Sequence, residues 1–225
     1  MIARFPQPST SRSSAADPDG KLALHSAETR AEHEENLSWV RWMFQSVRAQ
    51  CEAILFLTHG EAGRHTMITD WGAFLEQPWK AYIAPCLLEA WRAADAGDLD
   101  ALLTVDARLG QHLSPEHLSR SLFAGELLLK STRGAKYQGV LGHLRQRIEE
   151  EAREVHLTTV WAAVSVVFQL PVADVVGEYL REEWMTSTGR HAHHADPQGL
   201  LSFAATAHRT LRDAGFHDLQ IWSSP

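Results

Sequence analysis

The side chains best able to do chemistry in this 225-residue chain are its histidines. His191, His193 and His194 crowd into the segment GRHAHHADP, and imidazoles so closely spaced can bind a borderline divalent cation such as nickel, copper or zinc. Metal sites on helices use an i, i+4 pair with a distant third ligand, whereas HxHH on a loop supplies donors without fixed geometry. An exposed polar loop explains the same residues. His33, His112, His117, His143, His156 and His208 fall on or near helical stretches, where each can be read as an axial haem ligand, a cap, a surface group or a core residue. A carboxylate-bridged di-iron bundle needs Glu-x-x-His pairs, and the sequence has none.

Nucleophilic chemistry finds less support. Cys51 and Cys86 stand apart, each among apolar neighbours and without a CxxC pairing, and read as reduced core residues; for Cys86, which follows Pro85, a raised thiol pKa is expected rather than an activated thiolate. There is no G-x-S-x-G elbow, and THGEAGRH shares only two glycines with a phosphate-binding loop.

The elements that must position these groups read as helical almost throughout. Trp39, Val40, Met43, Phe44, Val47, Cys51, Ile54 and Leu55 recur at three- and four-residue steps and predict one long amphipathic helix. Residues 57–69 read as a loop. Asp98 and Ser114–Pro115 are helix starts, with Gly97 ending the helix before. VWAAVSVVF is rich in β-branched residues, yet a lone strand has nothing to pair with, so we expect a helix buried on every side. A further helix is expected over 173–185 and a last one over 199–214. The sum is an all-α, single-domain bundle of about eight to ten helices over residues 25–225, behind a disordered tail at 1–24 rich in Ser, Pro and Asp.

Charge and hydropathy narrow the partners. A formal net charge of -7 gives phosphate backbones nothing to bind, which argues against nucleic acid. No apolar run approaches the roughly 20 residues that span a bilayer; we expect no membrane segment and a cytoplasmic protein. The chain holds eight tryptophans, a residue enriched at binding hot spots; most are expected in the core, and Trp222 reads equally as an exposed anchor or as part of a tail docked on the bundle.

The order of motifs from Ile68 to Leu180 resembles the UreF family of urease accessory proteins. ITDWGAFLEQ is followed by EAWRAADAGDLDALLTVDARL, with its A-G-D turn between helices. In PEHLSRSLFAGELLL, Glu116, Ser121, Gly125, Leu128 and Leu129 match the spacing of the family's helical signature. In VHLTTVWAAVSVVFQLPVADVVGEYL, the matching residues are His156, Pro171, Tyr179 and Leu180. Leu118 stands where the signature has Arg, and Gln169 where a Gly commonly precedes the apolar-Pro turn. The segments at 57–67 and 191–197 also depart from the family pattern.

The resemblance implies a non-enzymatic chaperone for nickel metallocentre assembly. Such a protein is expected to bridge apo-urease, a UreD/UreH-type adaptor and a UreG-type GTPase as a homodimer, with no tightly bound cofactor of its own and nickel able to enter in the assembled complex. Glu116, Ser121, Gly125, His156 and Tyr179 are then partner-binding or helix-interface residues. For Ser121 and Gly125, one turn apart, the residues themselves suggest a close helix crossing. A reading from another class is a haem-oxygenase-like helical-bundle enzyme or ligand-binding protein.

Overall fold

The computed structural model describes residues 27–59, 71–133, 139–188 and 197–215, and among these the chain is helical with no strand. Helix α1 spans Ala27–His59. A short α2, Trp71–Phe74, runs into a π-wound segment, Leu75–Ile83, whose winding breaks at the extended Gln77 before a cis bond to Pro78. Then follow α3 (Ala84–Asp95), α4 (Leu99–Gly110), α5 (Pro115–Ser131), α6 (Gly139–Glu151), α7 (Leu157–Val167), α8 (Val172–Thr188) and α9 (Pro197–Asp213).

The bundle is organised around α7. Every residue from Leu157 to Ser165 is buried, as an apolar segment must be when helices close over all its faces. Helices α3 and α5 supply most of that cover, with α4, α6 and α8 completing it. Helix α1 lies across α5 and α8, and α9 packs on α8. The expected stripe of α1 turns inward at Val40, Met43, Phe44, Val47 and Cys51, and Phe44 stacks on Trp161 with ring centroids 4.2 Å apart. Trp161 in turn donates its indole N–H to the Val175 carbonyl at 3.0 Å, so the buried ring leaves no donor unsatisfied.

Caps fix the element boundaries. The Asp98 carboxylate accepts the Ala101 N–H at 3.0 Å, and the Ser114 hydroxyl accepts that of His117 at 3.4 Å, each satisfying a first-turn donor. Gly97 (φ +70°) makes the left-handed turn between α3 and α4, a conformation in which a Cβ would be strained. Gln169 has φ +54° immediately after α7; the glycine the family favours there has a conformational reason.

Two expectations change: the loop expected from residue 57 does not begin there, because α1 continues through His59, and the inward stripe of α1 loses one member. Ile54, placed in the inward stripe of α1, is exposed, as are Leu57 and Trp42. Trp42 is 57% accessible and meets Trp39 edge-on at 5.9 Å, so a tryptophan exposed among the described residues lies on α1. Trp222, the expected tail at 1–24 and the remainder of the expected 57–69 loop lie outside those residues.

Candidate functional site

Four of the five signature residues meet where α5, α7 and α8 converge. Gly125 opens the meeting. A Cβ there would sit 2.1 Å from the Val155 carbonyl oxygen, 2.7 Å from the His156 carbonyl carbon and 2.8 Å from the Leu157 nitrogen, so the connection from α6 to α7 lies directly on the backbone of α5. One turn earlier, the Ser121 hydroxyl lies 3.1 Å from His156 Nδ1. The other ring nitrogen of His156 faces Gly110, where a Cβ would come within 3.0 Å of Nε2.

His156 is held from the opposite side by Asp106 of α4, a buried acid. Its Oδ1 accepts the His156 N–H at 2.9 Å and the Thr159 hydroxyl at 2.7 Å, and Oδ2 lies 3.5 Å from Arg153. One carboxylate therefore secures two donors at the start of α7 and a cation beside it. Burial pushes the His156 imidazole below its ordinary pKa, against the opposing pull of Asp106.

Next to this junction lies a buried ionic cluster. Glu183 of α8 meets Arg48 of α1 at 2.6 Å and Arg120 of α5 at 2.8 Å, all three almost wholly inaccessible. Burial alone would push the Glu183 carboxyl up; the two guanidiniums override it and hold it below the usual carboxylate range. Tyr179 shares a hydrogen bond of 3.1 Å with Thr158, and burial drives its phenol well above the ordinary value. His117, half-buried at the rim, is pushed down by burial and by Arg120. These groups line a cavity of about 10 Å³, room for roughly one water. A charge cluster of this kind ties three helices into one register, because removing Glu183 would leave two buried guanidiniums without their counter-charge.

The remaining expected residues lie elsewhere. Glu116 is exposed in the first turn of α5, away from the junction. His191, His193 and His194 fall outside the described residues, among which no metal-binding cluster occurs. Cys51 and Cys86 are buried and free; burial lifts the Cys51 thiol to about 11 and raises that of Cys86 despite Arg108 nearby.

Sequence reasoning missed Asp106, Arg48, Arg120 and Glu183. Two of these carried a signal: Arg48 lies one turn after Phe44 in the apolar stripe of α1, and Glu183 one turn after Tyr179. A charge in an inward register is a buried charge in want of a partner.

Comparison with known proteins places this architecture. The UreF family matches residues 62–187, more than half of the chain. The chain belongs to the UreF family. No curated protein and no solved structure matches it. The match takes in the whole of the junction just described, from α2 almost to the end of α8, and leaves α1 outside. In this UreF-family chain, then, Ser121, Gly125, His156 and Tyr179 mark an internal helix crossing, while Arg48 reaches into it from a helix beyond the matched span. Family membership makes the protein a urease accessory protein. No helix among the described residues is long and apolar enough to cross a membrane.

Proposed function

We propose that this protein is a non-enzymatic chaperone of urease nickel-site assembly, acting in the cytoplasm as a homodimer that bridges apo-urease, a UreD/UreH-type adaptor and a UreG-type GTPase. The observation that carries the reading is the family match over residues 62–187. In this mechanism the metal is held by the partners, and the chain contributes shape and charge. Its net charge of -7 favours complementary basic surfaces. The exposed Trp42 on α1 has the chemistry of an interface anchor, with Leu57 adding exposed apolar surface on the same helix.

The signature residues act in this reading by holding the scaffold rigid. Gly125 and Ser121 seat His156, Asp106 fixes the start of α7, and Tyr179 joins α8 to it through Thr158. The cavity beside Glu183, of about 10 Å³, is itself too small for a haem.

The test is co-expression of the chain with a UreD/UreH-type adaptor, a UreG-type GTPase and apo-urease, followed by size-exclusion chromatography and urease assay with added nickel. Co-elution and nickel-dependent activation that require this chain are expected. A chain that elutes alone, with urease activated equally well in its absence, would overturn the proposal.

A further inference from the structure

The outward side of α1 carries no charge along its middle. From 42 to 57 the exposed residues described are Trp42, Ala49, Gln50, Ala53, Ile54 and Leu57, in a chain where 22% of residues are charged. The charges of this stretch are gathered along one edge, Arg41, Arg48 and Glu52 following at steps of seven and four, the spacing of a single helix face. Arg41 is drawn to α8, where Glu178 accepts two hydrogen bonds from it at 2.9 and 2.5 Å, and Arg48 is drawn to Glu183. Glu52 is half-buried. The start of the same helix is different, exposing Glu32, Glu34 and Glu35.

The uncharged face has the spacing of a packing seam. Trp42, Ser46, Ala49, Ala53 and Leu57 recur at steps of four, three, four and four, the rhythm by which one helix seats against another. Ser46, Ala49 and Ala53 are small, which lets a second helix axis come close. Trp42 and Leu57, 57% and 80% accessible, close the two ends. Trp39 props the Trp42 ring edge-on at 5.9 Å, so that anchor has little freedom left to lose on binding. In bulk the order is palindromic about a midpoint between Ala49 and Gln50. Reversed against itself, the seam sets Trp42 opposite Leu57 and Ser46 opposite Ala53. A chain of net charge -7 repels its own copy, and an uncharged face is where two such chains can meet without like charges in contact. A partner selected by charge finds nothing on this face to recognise.

We infer that this face of α1 is the contact between two copies of the chain, paired antiparallel across a two-fold axis at Ala49 and Gln50. The inference rests on the homodimer reading above and gives that dimer its surface. Helix α1 lies outside the family-matched span, so the seam is a property of this chain's own first helix. Its exposed side chains are fewer than the roughly 20–30 residues a side of a standard interface, and the dimer is expected to dissociate on dilution at about micromolar concentration.

Sedimentation velocity of the purified full chain, over roughly 1–100 µM, reads the equilibrium. Ala53→Glu puts an unpaired carboxylate into both copies of the seam and should weaken the dimer at least about a hundredfold. Ala31→Glu, on the acidic start of α1, should leave it unchanged. Both positions are exposed, so the unfolding midpoint should hold in each variant. Ala49→Cys should give a disulfide-linked dimer under mild oxidation, because the axis brings the two thiols together. Glu35→Cys, on the same face but about 43 Å from its copy across an antiparallel pair, should not. The native Cys51 and Cys86 are buried and should leave the wild type uncrosslinked. A dimer that Ala53→Glu leaves intact would overturn this surface while the homodimer reading stood; a wild-type chain monomeric at the highest concentration would overturn both. Crosslinking through Glu35→Cys in place of Ala49→Cys would overturn the antiparallel pairing. No urease component enters the experiment, so a failure of the bridging reading leaves its outcome untouched.

Discussion

Replacing Gly125 by alanine is the most severe test of how the helix junction is built. Ordinary van der Waals contact begins at about 3.4 Å, and the new Cβ would stand 2.1 Å from the Val155 carbonyl oxygen. The connection must then retreat by roughly 1.3 Å, and what it meets is backbone, which has no rotamer to change. That retreat is too large for the Asp106 to His156 N–H bond at 2.9 Å or the Ser121 contact at 3.1 Å. Overpacking costs about 1–3 kcal/mol, and losing a hydrogen bond to a charged acceptor about 1.5–3 kcal/mol. The gain in helix propensity returns about 1 kcal/mol. The net expectation is a destabilisation of roughly 2–5 kcal/mol, a large share of a typical stability of about 5–15 kcal/mol. Urea unfolding followed by circular dichroism measures it. Gly177→Ala is the control: its added Cβ meets nothing within 4 Å beyond its own stretch of helix, so it should stabilise the helix by about 0.5–1 kcal/mol. A Gly125→Ala protein within about 1 kcal/mol of wild type would refute the crossing as the reason for the glycine.

Further outcomes follow from the same geometry. Asp106→Ala strands the His156 N–H and the Thr159 hydroxyl inside the protein and should cost roughly 2–4 kcal/mol by urea titration. Glu183→Gln leaves two buried guanidiniums facing a neutral amide, with an expected loss of about 3–5 kcal/mol. Replacing Arg48, Arg120 and Glu183 together by apolar residues of similar volume should recover most of that loss. Gln169→Gly relieves a left-handed backbone at an exposed position and should raise the unfolding midpoint by the equivalent of roughly 0.5–1 kcal/mol.

The helices were legible because periodicity and caps are local properties. Asp98 and Ser114 mark starts that hold to the residue, and the β-branched run at 160–168 could be assigned to helix because no partner strand existed for it. The break at Gln77 was not legible: Pro78 excludes a regular helix there, but whether the chain bends or rewinds depends on what packs against it. The signature residues were read as partner-binding or interface positions, and the structure brings Ser121, Gly125, His156 and Tyr179 to an internal crossing while leaving Glu116 at the surface. Asp106 escaped notice because its partners lie 50 and 53 positions away, and nothing in TVDARL distinguishes a buried acid from a solvated one. Gln169 shows the converse, since its departure from the family pattern became intelligible only once its backbone angle was known.

The histidines also set a pH window for the fold, because their environments push them in opposite directions. His156 and His117 are held below the ordinary imidazole pKa of 6.5 by burial. Their contribution is complete above that value and is lost as pH falls through the lower folded-state values, since the unfolded chain takes up protons that the fold refuses. His33, raised by Asp174, contributes fully below 6.5 and is lost as pH rises through its higher folded-state value. Stability against urea should therefore pass through a maximum near neutrality, with an acid limb set at the α5–α7 junction and an alkaline limb set at the end of α1. The two limbs are separable by mutation. His33→Arg should flatten the alkaline limb and leave the acid one, whereas a His117→Gln/His156→Gln double variant should flatten the acid limb at a lower overall stability. If His33→Arg instead altered the acid limb, the two ends of α1 would be coupled through Arg41 and Arg48, and the assignment of each limb to its own histidines would fail.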